Sequence, residues 1–257
     1  MRVDLVREFR KKLREGYVLG PFAKTCDPAF IEIIGRCGFD FVIIDLEHGP
    51  VSVQTAGNLI RTAEASGTLP IVRTKEDRLS TIGEALDLGA CGIQAPQVTD
   101  ADSAKTILEH ARFAPDGMRG VCRFVRSADY SSMDRQEYFR GSNEALVITQ
   151  LEGTEALSNL EGILAVHGID IVFIGPYDLS QSLGVPGQVD HPLVIEEMKK
   201  IVETCRKNEI ATGTFVDTMA DARRWIDAGV SYISYSVDVG LFTEVCATTV
   251  KAIRGDK

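Results

Sequence analysis

Eight short apolar runs recur along the chain, and each is followed by a segment of helical periodicity. The runs are YVLGPFA (17–23), FDFVIID (39–45), LPIVRT (69–74), CGIQAPQV (91–98), ALVITQLE (145–152), IDIVFIG (169–175), IATGTFV (210–216) and SYISYSV (231–237). They are continuous rather than alternating in polarity, as strands covered on both faces must be. The segments between them carry helix start and stop signals. Asp27 precedes Pro28, glycines close several segments, and acids such as Asp100, Asp217 and Glu155 stand near helix starts.

Eight strand–helix units in 257 residues predict a single (β/α)8 TIM barrel domain over 1–257, since such barrels take about 250 residues. An open doubly wound sheet is the rival. It usually opens with Gly-x-Gly-x-x-Gly after its first strand, and none occurs here. Residues 113–144 form an insertion between the fourth helix and the fifth strand. Position puts it on the N-terminal side of that strand, unless a loop folds over the mouth.

Charge and cysteine usage narrow the partners. With 37 acidic and 28 basic residues the net charge is −9, a surface that nucleic acid or an anionic membrane would repel. An anionic substrate must then be caught by a few local cations. Cys26, Cys37, Cys91, Cys122, Cys205 and Cys246 are scattered without a Cys-x-x-Cys pair, which argues against structural zinc and a disulfide framework. The N-terminal segment is amphipathic without a signal-type apolar stretch, and no run reaches the ~18 apolar residues of a membrane span. A cytoplasmic, soluble protein is the expectation.

In a parallel barrel, chemistry belongs at the carboxyl ends of the strands. Polar residues there are Lys24; Asp45, Glu47 and His48; Arg73 and Lys75; Gln94 and Gln97; Gln150 and Glu152; Tyr177 and Asp178; Asp217; Ser236 and Asp238. Glu152 and Asp178 come from adjacent strand ends. Two carboxylates brought together repel unless a proton or cation sits between them. Without a His-x-His or thiolate cluster, the implied ion is hard, Mg²⁺ or Mn²⁺, keeping waters that a chelating substrate can replace. Equally, both acids could cap the helices that follow.

His48 is the acid–base candidate, since it alone of the four histidines ends a barrel strand. Asp45 and Glu47 are close enough in the chain to orient a ring nitrogen. Arg73 suits bidentate capture of a carboxylate, or a salt bridge to Glu47 or Asp45. A Schiff-base enzyme needs a desolvated lysine at a strand end. Only Lys24 and Lys75 are placed for that, and neither lies inside an apolar strand, so the pattern favours a metal.

These blocks carry a resemblance. FVIIDLEHGP (41–50), PIVRT (70–74), ALDLGACGIQAPQV (85–98), ARFAPDGMRG (111–120), QLEGTEALSNLEGILAV (150–166) and GIDIVFIGPYDLSQSLGVPGQ (168–188) together resemble the HpcH/HpaI aldolase family, from about Gly20 to the eighth helix. The resemblance implies a divalent-metal-dependent class II pyruvate aldolase, of the kind acting on 4-hydroxy-2-oxo-heptanedioate or 2-dehydro-3-deoxy-glucarate. Glu152 and Asp178 would hold the metal (Mg²⁺ or Mn²⁺, with Co²⁺ an alternative). Arg73 would hold the keto acid and its enolate, and His48, paired with Asp45, would be the base. Gln150 would contact pyruvate, and backbone near Gly175 and Pro176 would cradle its carboxylate. Family members are commonly hexamers, trimers of dimers whose last helix swaps between barrels, and Asp87 matches an acid that approaches the neighbouring subunit's mouth.

Two blocks depart from the family pattern. RGVCRFVRSADYSS (119–132) adds Arg123 and Arg126, which would suit a bulky or acidic aldehyde if they reach the mouth. LGPFAKTCDP lacks a tryptophan often found there. The expected activity is reversible cleavage of 4-hydroxy-2-oxo acids to pyruvate and an aldehyde. The rivals are a citrate-forming or other carbon–carbon condensing enzyme using the same enolate, and a non-catalytic barrel subunit.

Overall fold

A computed structural model describes residues 1–75 and 78–255. Eight parallel strands close in sequence order: β1 (Val18–Ala23), β2 (Phe41–Asp45), β3 (Leu69–Arg73), β4 (Gly92–Ala95), β5 (Leu146–Leu151), β6 (Ile171–Ile174), β7 (Ala211–Val216) and β8 (Tyr232–Val237), with β8 pairing back to β1. Helix α1 (Val3–Glu15) precedes β1. Helices α2 (Pro28–Arg36), α3 (Val53–Ser66), α4 (Ser80–Asp87) and α5 (Ala101–Ala111) follow the first four strands. The insertion holds an irregular 3₁₀ turn (Arg126–Ser131) and α6 (Arg135–Ser142). Then come α7 (Thr154–Ser158), α8 (Leu160–Leu164), α9 (Pro176–Ser182), α10 (Pro192–Lys207), α11 (Met219–Asp227) and α12 (Asp238–Arg254). The fold is the expected (β/α)8 barrel.

Strand alternation builds two cores. Val42, Ile44, Val72 and Val147 face outward into the layer beneath the helices, while Phe41, Ile43, Leu69, Ile71 and Ile148 fill the barrel with Phe173 and Tyr232. Helix α1 closes the N-terminal end. Its Phe9 meets Phe41 edge-on at 5.9 Å and Tyr232 at 6.2 Å, and those two rings stack at 4.2 Å. The rings fit because β1 and β7 carry glycine opposite them. A β-carbon on Gly20 would fall 2.2 Å from the Phe41 carbonyl oxygen, and one on Gly213 would fall 2.5 Å from the Tyr232 ring.

The insertion lies on the N-terminal side, as its position implies. Phe113, Ala128 and Tyr138 form its own small core. Arg126 donates to the Leu88 carbonyl at 3.0 Å and to Glu64, groups at the ends of α4 and α3 from which the next strands start. Arg123 donates to the Ser131 and Met133 carbonyls. Neither arginine reaches the mouth, so the acidic or bulky aldehyde they were expected to admit loses its support. No helix among the described residues is long and apolar enough to cross a membrane. Helix α12 buries only Asp238 and leaves Phe242, Val245, Val250 and Ile253 exposed.

Candidate active site

The period of two that fills the barrel also delivers its polar end. Inward positions on β2 run Phe41, Ile43, Asp45; on β3, Leu69, Ile71, Arg73; on β5, Leu146, Ile148, Gln150, with Glu152 next in phase. Asp45 and Arg73 are register partners. The Arg73 fork grips Asp45 with Nε at 2.8 Å and Nη2 at 2.7 Å, and Lys24 Nζ reaches the same carboxylate at 2.5 Å. Asp45 is fully buried. Burial opposes its ionisation, but Arg73 and then Lys24 overcome that and hold the carboxyl at about 2. Arg73 itself lies over the Phe22 ring at 4.7 Å.

His48 is placed differently from expectation. Asp45 accepts the backbone N–H groups of Glu47 at 3.0 Å and His48 at 3.3 Å, so it shapes the loop but does not hold the imidazole ring. The ring's carboxylate neighbour is Glu47, 3.8 Å from Nε2, and the ring is exposed at the mouth. Glu47 also lies 3.0 Å from Arg73 Nη1, without the alignment of a hydrogen bond. Burial lifts the Glu47 carboxyl above its ordinary range, against the pull of Arg73 and His48.

Glu152 and Asp178 converge. The point a β-carbon on Gly175 would occupy is 3.4 Å from Glu152 Oε1 and 3.7 Å from Asp178 Oδ2, so only glycine leaves that space free. An amide relay aims Glu152: Gln94 Nε2 donates to Gln150 Oε1 at 2.5 Å, and Gln150 Nε2 donates to Glu152. The Gln97 backbone N–H, 3.1 Å from Oε2, holds the other oxygen. Burial pushes the Glu152 carboxyl up to about 7; the Gln150 hydrogen bond opposes this, and the neighbouring Asp178 charge adds to it.

A carboxylate pair that resists sharing negative charge fits a divalent cation between them, and both donors are the hard oxygens such an ion takes. Among the described residues no group of three or more His, Cys, Asp or Glu side chains converges. Any ion held here would therefore rely on two carboxylates and keep exchangeable positions. Neither acid serves as a helix cap, because no side chain caps α7 or α9.

A cavity of about 330 Å³ joins these groups, lined by Lys24, Arg73, Gln150, Gly175, Pro176 and Asp178, a size for a small metabolite. Gly175 contributes shape rather than a donor, because its N–H is bound to the Leu151 carbonyl at 3.1 Å, and Pro176 has none. Sequence reasoning missed the cavity's apolar wall of Phe22, Phe173 and Phe215; aromatic residues at strand ends were the available signal. Asp217 does not cap α11. Thr218 does, while Asp217 accepts a hydrogen bond from the Tyr177 hydroxyl. Asp87 ends α4 at the far side of its own barrel, paired with Arg119 at 2.6 Å.

Residues 19–244 match the HpcH/HpaI aldolase/citrate lyase family, to which the chain belongs, and this membership makes it a carbon–carbon lyase. Among its relatives, the 2-keto-3-deoxy-L-rhamnonate aldolase of Salmonella gallinarum (strain 287/91 / NCTC 13346) is 34% identical over 251 residues, covering 95% of this chain and 92% of the relative. A solved HpcH/HpaI aldolase/citrate lyase family protein from Burkholderia cenocepacia J2315 superposes with a TM-score of 0.91 at 28% identity, over 96% of this chain and 99% of that one. The citrate synthase SbnG follows at 30% identity and a TM-score of 0.85, over 96% and 98%.

Proposed function

We propose that the protein is a divalent-metal-dependent aldolase that reversibly cleaves 4-hydroxy-2-oxo acids to pyruvate and an aldehyde. The observation that carries this reading is the approach of the Glu152 and Asp178 carboxylates to one point beside Gly175, at the cavity that Gly175, Asp178 and Arg73 line. Those two residues would hold the cation, Mg²⁺ or Mn²⁺ before Co²⁺. When bound, it supplies a Lewis acid for the 2-oxo acid and for the negative charge that develops on cleavage.

The chain's own residues account for the rest. Arg73, fixed by Asp45, presents positive charge to the 2-oxo acid, and Gln150 keeps Glu152 aimed while lining the same cavity. His48 takes the C4 hydroxyl proton as the C3–C4 bond breaks and C4 becomes the aldehyde carbonyl. The electron pair left on C3 spreads into the 2-oxo oxygen, and protonation at C3 gives pyruvate.

Isothermal titration with Mn²⁺ and a cleavage assay test this together. Glu152→Gln and Asp178→Asn should each abolish ion binding and activity. His48→Ala should bind the ion normally yet lose ~10²–10⁴-fold in turnover. Full cleavage rate in chelator-treated enzyme would overturn the reading. Likeness to a citrate synthase favours a second reading, a condensing enzyme with the same site. Oxaloacetate with acetyl-CoA, assayed beside pyruvate with aldehydes, separates the two.

The same reading includes a cytoplasmic homohexamer, a trimer of dimers that exchange α12. The exposed Phe242, Val245, Val250 and Ile253 support an apolar contact there, and Asp87 of one subunit would approach its neighbour's mouth. Light scattering of the purified protein reads the assembly directly.

A further inference from the structure

The wall of the cavity formed by the ends of β6 and β7 is unused by the reaction above. Tyr177, from the start of α9, donates its hydroxyl to Asp217 Oδ2 at 2.5 Å, and its ring tilts against Phe215 at 6.1 Å. All three line the cavity beside Asp178. Besides Asp178, the acid that lines this cavity is Asp217, with Asp190 and Asp221 near it. Arg224 pairs with Asp190 at 2.8 Å and Asp221 at 2.9 Å. Among the described residues Asp217 has no cationic partner. The cavity's own cations, Lys24 and Arg73, are both committed to Asp45 on the opposite side.

Resting on the aldolase reading, we infer that Tyr177 and Asp217 select the aldehyde half of the substrate, favouring uncharged, hydroxylated aldehydes and rejecting those that end in a second carboxylate. Selection is by charge and hydrogen bonding. With the 2-oxo acid held by Arg73 and the carboxylate pair, this wall supplies the polar lining of the cavity that is left for the remainder of the molecule. A terminal carboxylate there meets Asp217 and finds no free cation, a repulsive element of the kind that sets specificity. A hydroxyl instead donates to Asp217, which Tyr177 holds in place through its own hydrogen bond, and the intervening carbons lie on Phe215. This is the reverse of what Arg123 and Arg126 would have provided had they reached the mouth.

The test is aldol addition with saturating pyruvate and Mn²⁺, comparing lactaldehyde, propanal and succinic semialdehyde. Wild type should favour lactaldehyde over succinic semialdehyde by about tenfold or more in kcat/KM, the scale of one like-charge contact. Asp217→Asn should narrow that ratio severalfold, chiefly by lowering KM for succinic semialdehyde. Tyr177→Phe should weaken lactaldehyde more than propanal. Asp217 is exposed, so the isosteric amide leaves the fold undisturbed. A wild-type preference for succinic semialdehyde, or a ratio unmoved by Asp217→Asn, overturns the inference. Exchange of pyruvate methyl protons in D₂O needs no aldehyde and separates the two failures. If wild type shows no exchange, the aldolase reading itself falls; if exchange proceeds while the ratios stay unmoved, only the selection by Tyr177 and Asp217 falls.

Discussion

Asp45 shows how one side chain can serve a site without touching substrate. Its carboxylate is buried between two cations, and its pKa of about 2 lies below the ~3.9 of an unfolded chain. The stability this gives is complete above about pH 4 and drains away as the pH falls through 4 toward 2, because the unfolded chain takes up the proton first. The gap corresponds to about 2 kcal/mol. Urea unfolding of wild type and Asp45→Asn should therefore differ most at neutral pH, with the difference shrinking by about that amount between pH 5 and pH 2. A difference that stays constant across the range would show that the carboxylate is not held ionised by Arg73 and Lys24. Arg73→Lys keeps a charge but loses the two-pronged grip on Asp45, and kcat/KM should fall by about a hundredfold or more.

The strands explain why much of this was legible beforehand. Their apolar runs announced eight buried strands, and the same period of two carries Phe41 and Ile43 to Asp45, and Leu69 and Ile71 to Arg73. The polar ends could therefore be placed from sequence. Direction within the site could not. His48 is three residues from Asp45, and that spacing leaves open whether the ring or only the backbone N–H meets the carboxylate; here it is the N–H. Likewise position in the chain put the segment carrying Arg123 and Arg126 on the N-terminal side but left open a loop folded over the mouth, because Arg126 is held by Glu64 and the Leu88 carbonyl, distant in the chain. The partnership of Tyr177 with Asp217 crosses from α9 to the end of β7 for the same reason. Where an element needs a missing side chain, the demand is strict. Gly20→Ala would drive a methyl into the Phe41 carbonyl, and about 3 kcal/mol of lost stability should appear as a lower urea midpoint.

The molecule as a whole divides labour between its ends, with chemistry at the carboxyl ends of the strands and cohesion at the other. Phe9→Ala tests that division. Removing the ring that meets Phe41 and Tyr232 should cost about 3–5 kcal/mol, lowering the melting temperature. The surviving folded enzyme should keep its KM for the 2-oxo acid. Loss of substrate affinity at a temperature where the variant is fully folded would show that the two ends are coupled.

The stopper of rings beneath the site has a kinetic consequence. A vessel sealed at its base fills and empties through one doorway, and Arg73 lies deeper in it than the exposed Tyr177 and Asp217. Under the aldolase reading, pyruvate must enter ahead of the aldehyde and depart behind it. Initial-rate patterns should accordingly be those of a compulsory sequence, with the aldehyde unable to bind productively to enzyme that has not yet taken up its keto acid.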